Sequence, residues 1–312
     1  MIESGFNQET IKNAINTKWA GSTVHFAEIT DSTNLWAKEL AREEFAKKEL
    51  VSGEVESVCG CVSGSENEAV YAAGEKYAAG HGTLVVAEQQ TAGRGRLGRK
   101  WVSPAGSCVM MSLILRPEFA PQYAPMLTLV MGLSVAQAMK QLDSRNKDCL
   151  KNGIDVSIKW PNDAVVSGKK ICGILTEMSL EGTSIQEVVV GVGINVNLET
   201  IDEEIKGVAS SLYLETGKRY DRNEIINLVM QQFEINYEKY AETLDLTYLV
   251  DDYNSLLINK DKQVRVLDPK EPFEGIARGI NVQGELLVER EDGEIVAVGA
   301  GEVSVRGLYG YV

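Results

Sequence analysis

The sequence predicts an α+β fold in which helices flank a mixed, largely antiparallel sheet, with a small all-β module after it. Strand and helix patterns alternate through most of the chain. The strands predicted between 155 and 196 are joined by short turns, SGKK and LEGTS, which suit hairpins better than helical crossovers. Only short strand patterns follow residue 262. We therefore expect two domains, covering residues 1–261 and 262–312.

The first part of the chain is predicted to run helix, strand, helix, strand. Apolar spacing indicates a short helix within 7–18, and FAEITDSTN is typical of a strand that leads into a helix. Asp31, Ser32 and Thr33 are residue types that cap a helix N-terminus. Residues 48–68 lose the helical pattern and are rich in Ser, Gly and Glu, so we interpret them as an exposed insertion. The segment TLVVAEQQ is then a strand.

The rest of the chain is predicted to contain a buried strand, a long helix, a run of hairpins, a helical stretch and the terminal module. In the terminal module, the Asp-Gly pair within EDGE indicates a hairpin turn. The predicted elements are the strand SCVMMSLILR, the helix 122–142, strands at 155–160, 164–166, 170–178 and 185–196, helices within 221–257, and the short strands QVRVLD, EGIARGI, ELLVERE, EIVAVG and VSVRGL.

Composition and charge exclude several classes of protein. The net charge of -14 and the pI of about 4.8 argue against broad attraction to DNA, RNA or anionic lipid. No apolar run approaches the roughly 20 residues that span a bilayer, and the N-terminus lacks the form of a signal peptide. The cysteines are scattered, and Cys59 and Cys61 have few histidines to join them in a metal site. Reduced thiols and a cytoplasmic location are therefore expected.

One short basic segment, EQQTAGRGRLGRKW at 88–101, stands out in this acidic chain. Its glycines let backbone approach a ligand closely, and arginine holds carboxylate or phosphate through forked, charge-assisted hydrogen bonds. A solvated basic loop or an arginine–glycine nucleic-acid segment is the alternative. No P-loop is present, because Ser167-Gly168-Lys169-Lys170 lacks both the spacing and the hydroxyl of that motif. No dinucleotide-binding fingerprint is present either, because GVGINV lacks the third glycine that would open a helix.

Four segments follow one another along the chain: DSTN (31–34), EQQTAGRGRLGRKW (88–101), KWPND followed by KKICGIL (159–163 and 169–175), and GVGINVN (191–197). In this order they resemble the motifs of the biotin protein ligases. The resemblance implies a biotin/lipoate ligase-like catalytic domain at 1–261 and an SH3-like β-barrel at 262–312. A lipoate or other acyl-carrier ligase is the alternative, because lipoate ligases and octanoyltransferases share that fold, although they lack the full GRGRLGRKW segment.

The resemblance implies an ATP-dependent reaction in two steps. The carboxylate of biotin attacks the α-phosphate of ATP to give biotinyl-5'-AMP and pyrophosphate. A lysine amine of a biotin carboxyl carrier protein then takes the biotinyl group and releases AMP. Such chemistry rests on positioning and electrostatic stabilisation rather than on a protein nucleophile. Mg²⁺ is expected to arrive with ATP, held largely by phosphates and water.

The resemblance also implies residues for the biotin pocket. Hydroxyl and amide groups of the DSTN segment would bond the ureido ring; helix capping by Asp31 to Thr33 is the alternative, and the two roles are compatible. Gly173 would let the ligand approach a strand closely. The implied biotin-binding residues are Ser32, Thr33, Asn34, Gln90, Gly93, Arg94, Lys170 and Gly173.

Nucleotide binding and catalysis fall to a second group of residues. Lys170, Arg94 and Arg96 are the implied catalytic residues; Lys169 is the alternative to Lys170, and strand alternation should direct only one of the two lysines into the site. Trp101 would pack on adenine or in the core, and Asn195 would contact nucleotide or stabilise a turn. No metal site built by protein alone is expected, with Asp163 as the single candidate contact. The implied nucleotide-binding residues are Arg96, Arg99, Trp101, Lys159, Asn162 and Asn195.

The chain departs from many relatives at its N-terminus. About thirty residues precede the DSTN segment, too few for the winged helix-turn-helix domain of relatives that double as repressors. We therefore expect the enzyme-only form, with a carrier-protein domain as partner, no DNA and no membrane. A homodimer is a further expectation from the resemblance. A non-enzymatic biotin sensor or nucleic-acid-binding protein is the remaining alternative class.

Overall fold

The computed structural model describes residues 5–56, 80–101, 104–145, 154–268, 270–300, 304–307 and 311. The helices are α1 (Gln8–Ala14), α2 (Thr33–Glu56), α3 (Leu127–Arg145), α4 (Leu212–Thr216), α5 (Arg222–Thr243) and α6 (Val250–Leu256), with short 3₁₀ helices at Arg96–Gly98 and Pro121–Met126. The strands are β1 (Val24–Thr30), β2 (Thr83–Gln90), β3 (Cys108–Leu115), β4 (Val156–Lys159), β5 (Asp163–Val166), β6 (Lys169–Glu181), β7 (Ser184–Asn195), β8 (Gln263–Leu267), β9 (Phe273–Ile280), β10 (Leu286–Glu289), β11 (Ile295–Val298) and β12 (Ser304–Gly307).

The predicted mixed, largely antiparallel sheet is confirmed. In the described part of the chain its seven strands have the order β1-β2-β3-β7-β6-β5-β4. Only β1 and β2 pair in parallel there. The pairs β4–β5, β5–β6 and β6–β7 are antiparallel, as the short turns predict.

Helices cover both faces of the large sheet. On one face, α3 and α5 pack on apolar strand residues in the main core. On the other face, Ala37 and Ala41 of α2 pack on Val85, Ile114 and Val189. These two sets alternate along the strands, because successive side chains of a strand point to opposite faces. The face that α2 covers also carries the candidate site, just beyond the N-terminus of that helix.

The C-terminal strands form a separate antiparallel sheet, with the order β11-β10-β9-β8-β12 among the described residues. The turn between β10 and β11 contains Asp292 and Gly293, and Gly293 has a φ of 86°. This left-handed conformation favours glycine, so the sequence signal and the geometry agree. The indole N–H of Trp160 donates to the carbonyl of Gly284 at 3.0 Å and joins this sheet to the end of β4.

The prediction that residues 48–68 lose the helical pattern is wrong over 48–56. Residues 48–56 continue α2, because KELVSGEVE is rich in good helix formers and one internal glycine costs only about 1 kcal/mol. The remainder, with Cys59 and Cys61, lies outside the described residues. Among the helices that are described, none combines the length and apolar character needed to cross a bilayer.

Candidate active site

Hydrogen-bonded side chains line a small pocket at the N-terminus of α2. Gln90 Oε1, at the end of β2, accepts from the backbone N–H of Thr33 at 2.8 Å and from its hydroxyl at 3.2 Å. The Ser112 hydroxyl on β3 donates to Asn34 Oδ1 at 2.6 Å and lies 2.8 Å from Thr33 Oγ1. These residues are largely buried, so the network fixes their orientation before any ligand arrives. Ser32 lines the same pocket.

The position of Asn34 depends on a glycine opposite it. A Cβ on Gly191 would lie 2.1 Å from Asn34 Oδ1, so only glycine lets the amide lie against the sheet. The Asn34 amide donates to the Leu175 carbonyl and, at 2.7 Å, to Glu177, which also pairs with Lys38 at 2.7 Å. Burial opposes ionisation of Glu177, but hydrogen bonds from Lys38 and Asn34 prevail and lower its pKa. Asn34 is therefore held by a charged pair behind it.

The basic segment forms a narrow loop over this pocket. Arg94 and Lys100 form an antiparallel bridge, and the Trp101 N–H donates to the Gly93 carbonyl at 2.9 Å. A Cβ on Gly93 would lie 2.5 Å from the Trp101 carbonyl oxygen, which explains a glycine there. At the tip, Leu97 is 61% exposed, so this apolar side chain has no place in the core.

The three arginines of the loop occupy different places. Arg94 is exposed and lines the pocket rim, whereas Arg99 is exposed and lines a second cavity, which we call the cleft. Arg96 lines both cavities and donates to Asn162 Oδ1 at 3.0 Å and to the Ala300 carbonyl at 2.8 Å. Burial lowers the pKa of Arg96, but Asp163 opposes this effect and the guanidinium stays charged.

Trp101 lies across the floor of the site. Gly173 and Gly193 are cross-strand partners in β6 and β7, and a Cβ on either would lie within 3.1 Å of the Trp101 ring. The indole is half-buried, with Lys170 Nζ 5.8 Å from the ring centroid. The ring thus covers two glycines at the border between the pocket and the cleft.

The cleft is lined by cations and one central carboxylate. Lys159 and Asp163 are register partners in β4 and β5, and both side chains are buried. Lys170 Nζ lies 2.6 Å from Asp163 Oδ1, and the Tyr311 hydroxyl donates to Asp163 Oδ2. Burial lowers the pKa of Lys159 to about 8, although the charge of Asp163 opposes the shift. Arg306 on β12 adds a further positive charge to the wall.

The two adjacent lysines of β6 point in opposite directions. Lys170 lines both the pocket and the cleft. Lys169 Nζ instead pairs with Glu215 at 3.3 Å, away from both cavities. The alternation of strand side chains therefore directs only Lys170 into the site.

The asparagines of the motifs also bond to backbone. The Asn162 amide donates to the Ile174 carbonyl at 3.1 Å, and the Asn195 amide donates to the Ser210 carbonyl at 2.9 Å. Both residues still line the cleft. Pro161 lies in the turn between β4 and β5, after a cis peptide bond. These residues therefore shape the cleft as well as face it.

Three residues around the site escaped the sequence analysis. Ser112 is the one hydroxyl in the apolar strand CVMMSLIL, and that interruption was a usable signal. Glu177 lies within a strand that alternates polar and apolar residues, so its sequence context was uninformative. Tyr311 follows the last strand and reaches the cleft only through the tertiary fold.

The described residues contain no group of three or more histidine, cysteine, aspartate or glutamate side chains that could hold a metal ion. Asp163 is the acidic side chain in the cleft lining, and both of its oxygens have protein partners. A metal ion in the cleft would therefore need most of its ligands from substrate phosphates and water.

A polar pocket that shares Arg96 and Lys170 with a cationic cleft, set on this sheet, is the arrangement expected of a ligase of the biotin/lipoate class. A family model described as the biotin/lipoate A/B protein ligase family matches residues 62–195, and one for the biotin protein ligase C terminal domain matches residues 261–306. The biotin protein ligase from Aquifex aeolicus in complex with biotin and ATP has a TM-score of 0.68 and 31% identity, covering 91% of this chain and 99% of that chain. The chain belongs to the biotin protein ligase family.

Curated relatives agree with this assignment. The biotin--[acetyl-CoA-carboxylase] ligase of Mycobacterium tuberculosis is 34% identical over 244 residues, which cover 77% of this chain and 85% of that protein. The bifunctional ligase/repressor BirA of Bacillus subtilis is 40% identical over 214 residues, 68% of this chain. The match spans 63% of the length of that bifunctional relative.

Proposed function

We propose that this protein is an ATP-dependent biotin–protein ligase, which makes biotinyl-5'-AMP and transfers biotin to a lysine of a biotin carboxyl carrier protein. One observation carries the proposal: Lys170 lines both cavities, at the point where the neutral polar pocket meets the cationic cleft. A ligase that joins a carboxylate to an α-phosphate needs a cation at the junction of its two substrate sites. The named activity of the relatives supports the same reading.

In the first step, a carboxylate oxygen of biotin attacks the α-phosphorus and the bond to the bridging oxygen of pyrophosphate breaks. Negative charge builds on the α-phosphate oxygens and on the leaving group. Lys170 and Arg96 can stabilise that charge from the border of the two cavities, while Arg99 and Lys159 face the nucleotide from the cleft. Mg²⁺ bound to the phosphates of ATP would neutralise part of their charge, and Asp163 could contact it only by releasing Lys170 or Tyr311.

In the second step, the lysine amine attacks the acyl carbon and the bond from that carbon to the AMP oxygen breaks. An amide forms, the nitrogen loses a proton, and AMP leaves. Arg94 at the pocket rim would hold the anhydride until the amine arrives, and the loop would exclude water. Trp101 would have to leave the paired glycines, Gly173 and Gly193, for adenine to contact its face.

The biotin pocket is assigned to the polar network. Ser32, Thr33 and Asn34 would bond the ureido group, with Gln90 in the wall and Gly93 lying against Gln90 behind it. Such groups donate and accept hydrogen bonds at once, as a ureido ring requires. Lipoate has no ureido ring, so this network favours biotin over the lipoate ligase alternative.

The experiment that tests the proposal measures both half-reactions. Purified protein with biotin, ATP and Mg²⁺ should release pyrophosphate, and adding a carrier domain should move radiolabelled biotin onto its acceptor lysine. Radiolabelled lipoate with a lipoyl carrier domain is the matched control. Transfer of lipoate alone would contradict the assignment, and binding of biotin without pyrophosphate release would indicate a sensor instead.

The remaining partners follow from charge and cysteine chemistry. We place the protein in the cytoplasm, because its five scattered cysteines do not have the spacing of a disulfide framework. The net charge of -14 disfavours DNA as a partner. A homodimer is proposed from the resemblance alone, and sedimentation of the protein with biotinyl-AMP would test it.

We also propose that the chain divides into domains at 1–261 and 262–312, which limited proteolysis would test.

A further inference from the structure

We propose that Tyr311 is a positioning residue of the active site: it fixes the carboxylate of Asp163 and covers the ammonium of Lys159. The inference rests on the proposed ligase function, because it assigns Tyr311 a role in adenylate formation. Tyr311 follows β12, so the C-terminal part of the chain supplies it to a cleft built mainly by the large sheet.

The first contact is with Asp163. One carboxylate oxygen holds Lys170 Nζ at 2.6 Å, and the other accepts from the Tyr311 hydroxyl. Without the phenol, the buried carboxylate loses the donor on its second oxygen and can rotate about its side chain. Lys170 would then lose the fixed direction in which Asp163 holds it. Burial and the charge of Asp163 both raise the pKa of Tyr311, so its hydroxyl remains a donor.

The second contact is with Lys159. Its Nζ lies 4.1 Å from the centroid of the Tyr311 ring, a distance at which the π face attracts a cation. Lys159 is also the register partner of Asp163, so hydroxyl and ring act on two neighbouring groups of the cleft. The hydroxyl therefore acts on the reacting end of the site through Lys170, and the ring acts on the nucleotide through Lys159.

These two actions can be separated by substitution. Tyr311→Phe removes the hydroxyl and keeps the ring, whereas Tyr311→Leu removes both. Biotin-dependent exchange of pyrophosphate into ATP reports kcat and the KM of each substrate. We expect Tyr311→Phe to lower kcat about 10-fold with both KM values within about twofold of the wild type, the loss typical of one missing hydrogen bond to a charged group. Tyr311→Leu should in addition raise the KM for ATP about fivefold.

A double-mutant cycle tests whether Tyr311 acts through Asp163. Once Asp163→Asn has lowered kcat, adding Tyr311→Phe should cost less than about twofold, because coupled residues are not additive. Tyr248→Phe is the matched control, since Tyr248 is 54% exposed and lies outside the cleft lining.

The outcomes separate this inference from the proposed function. Wild-type protein that exchanges no pyrophosphate contradicts the ligase function itself. Active wild type with a Tyr311→Phe kcat equal to that of Tyr248→Phe, or with full additivity in the cycle, overturns the role of Tyr311 alone. A melting temperature lowered in Tyr311→Phe at unchanged kcat would show a merely structural residue. If Tyr311→Leu fails to fold, the kcat of Tyr311→Phe and the double-mutant cycle still test the role of Tyr311.

Discussion

The two cavities of the site are built in opposite ways. Beside α2, the neutral groups of the pocket are already bonded to one another: Thr33, Asn34 and Gln90 form one network with the fully buried Ser112. The cations of this pocket, Arg94, Arg96 and Lys170, complete its lining. The cleft gathers Arg99, Lys159, Lys170 and Arg306 around a single carboxylate, Asp163. The pocket is thus arranged before a ligand enters, whereas the cleft holds positive charges that only an anion can fully satisfy.

This difference suggests how the protein divides its work. Neutral, rigid hydrogen-bonding groups select a ligand by geometry, because a wrong partner leaves buried groups unpaired. A cluster of cations attracts phosphates and stabilises charge that develops during reaction. The pocket should therefore govern which acid is used, and the cleft should govern nucleotide binding and rate. The predictions below test that division.

The largest effect is expected at Lys170, one of the residues that line both cavities. Lys170→Ala should slow adenylate formation by about 10³-fold, because the α-phosphate loses its cation at the reacting centre. A burst assay for biotinyl-AMP measures this. Lys169→Ala is the matched control and should stay near wild type, since Lys169 pairs with Glu215 outside the site. Near-normal turnover in Lys170→Ala would remove Lys170 from the mechanism.

A smaller effect is expected at the pocket rim. Arg94→Ala should speed dissociation of biotinyl-AMP by about 10- to 100-fold, because a charge-assisted hydrogen bond to the anionic intermediate is lost. Release of radiolabelled adenylate on a desalting column measures the rate. Arg42→Ala, exposed on α2, should leave it unchanged. An adenylate lifetime that Arg94→Ala does not alter contradicts this assignment.

Next to the pocket lining, Ser112→Ala should weaken biotin binding about 10-fold and leave the KM for ATP unchanged. The substitution removes the hydroxyl that orients Asn34 and leaves a buried acceptor unpaired. Steady-state exchange assays report both KM values. Ser134→Ala controls for loss of a buried serine, because Ser134 bonds within the helical layer at 2.7 Å from the Val130 carbonyl. Equal changes in both KM values would contradict the hypothesis that the pocket governs biotin binding and the cleft governs nucleotide binding.

The smallest expected effect is a pH dependence confined to the cleft. The pKa of Lys159 is about 8, so its ammonium is mostly protonated at pH 7 and mostly neutral at pH 9. The KM for ATP should therefore rise with pH, by at most about tenfold over that range, while the KM for biotin stays flat. Lys159→Arg keeps its charge and should abolish the rise. An equal pH dependence in Lys159→Arg would assign the titration to another group.

Much of this architecture could be predicted from local patterns. The alternation of apolar residues gave the strands, and the turns gave their antiparallel pairing, so the sheet followed from the sequence. Strand periodicity predicted that only one of Lys169 and Lys170 faces the site, and the family resemblance selected Lys170. Its contact with Asp163 required the bulge-shifted pairing of β5 and β6. The error at 48–56 arose because serine and glycine were given more weight than the helix formers around them.

Other features had no local signal. The sequence predicts Trp101 on adenine or in the core; its ring lies over Gly173 and Gly193, which β6 and β7 place side by side, and packs against the small cluster of Cys108, Met110 and Leu198. Ser112 was hidden in an apolar strand, and its partners on α2 come from about eighty residues earlier.

The sequence by itself determined the strands, the hairpins, the basic glycine-rich loop and the acidic character of the whole, because these depend on short-range propensity and composition. Only the tertiary structure decided which groups are hydrogen-bonded, which form ion pairs and which lie on the same face. Asp163 pairs with Lys170 of the adjacent strand and accepts a hydrogen bond from Tyr311, which follows the last described strand of the second sheet. Such contacts depend on how distant segments pack, and no residue pattern within one segment can specify them.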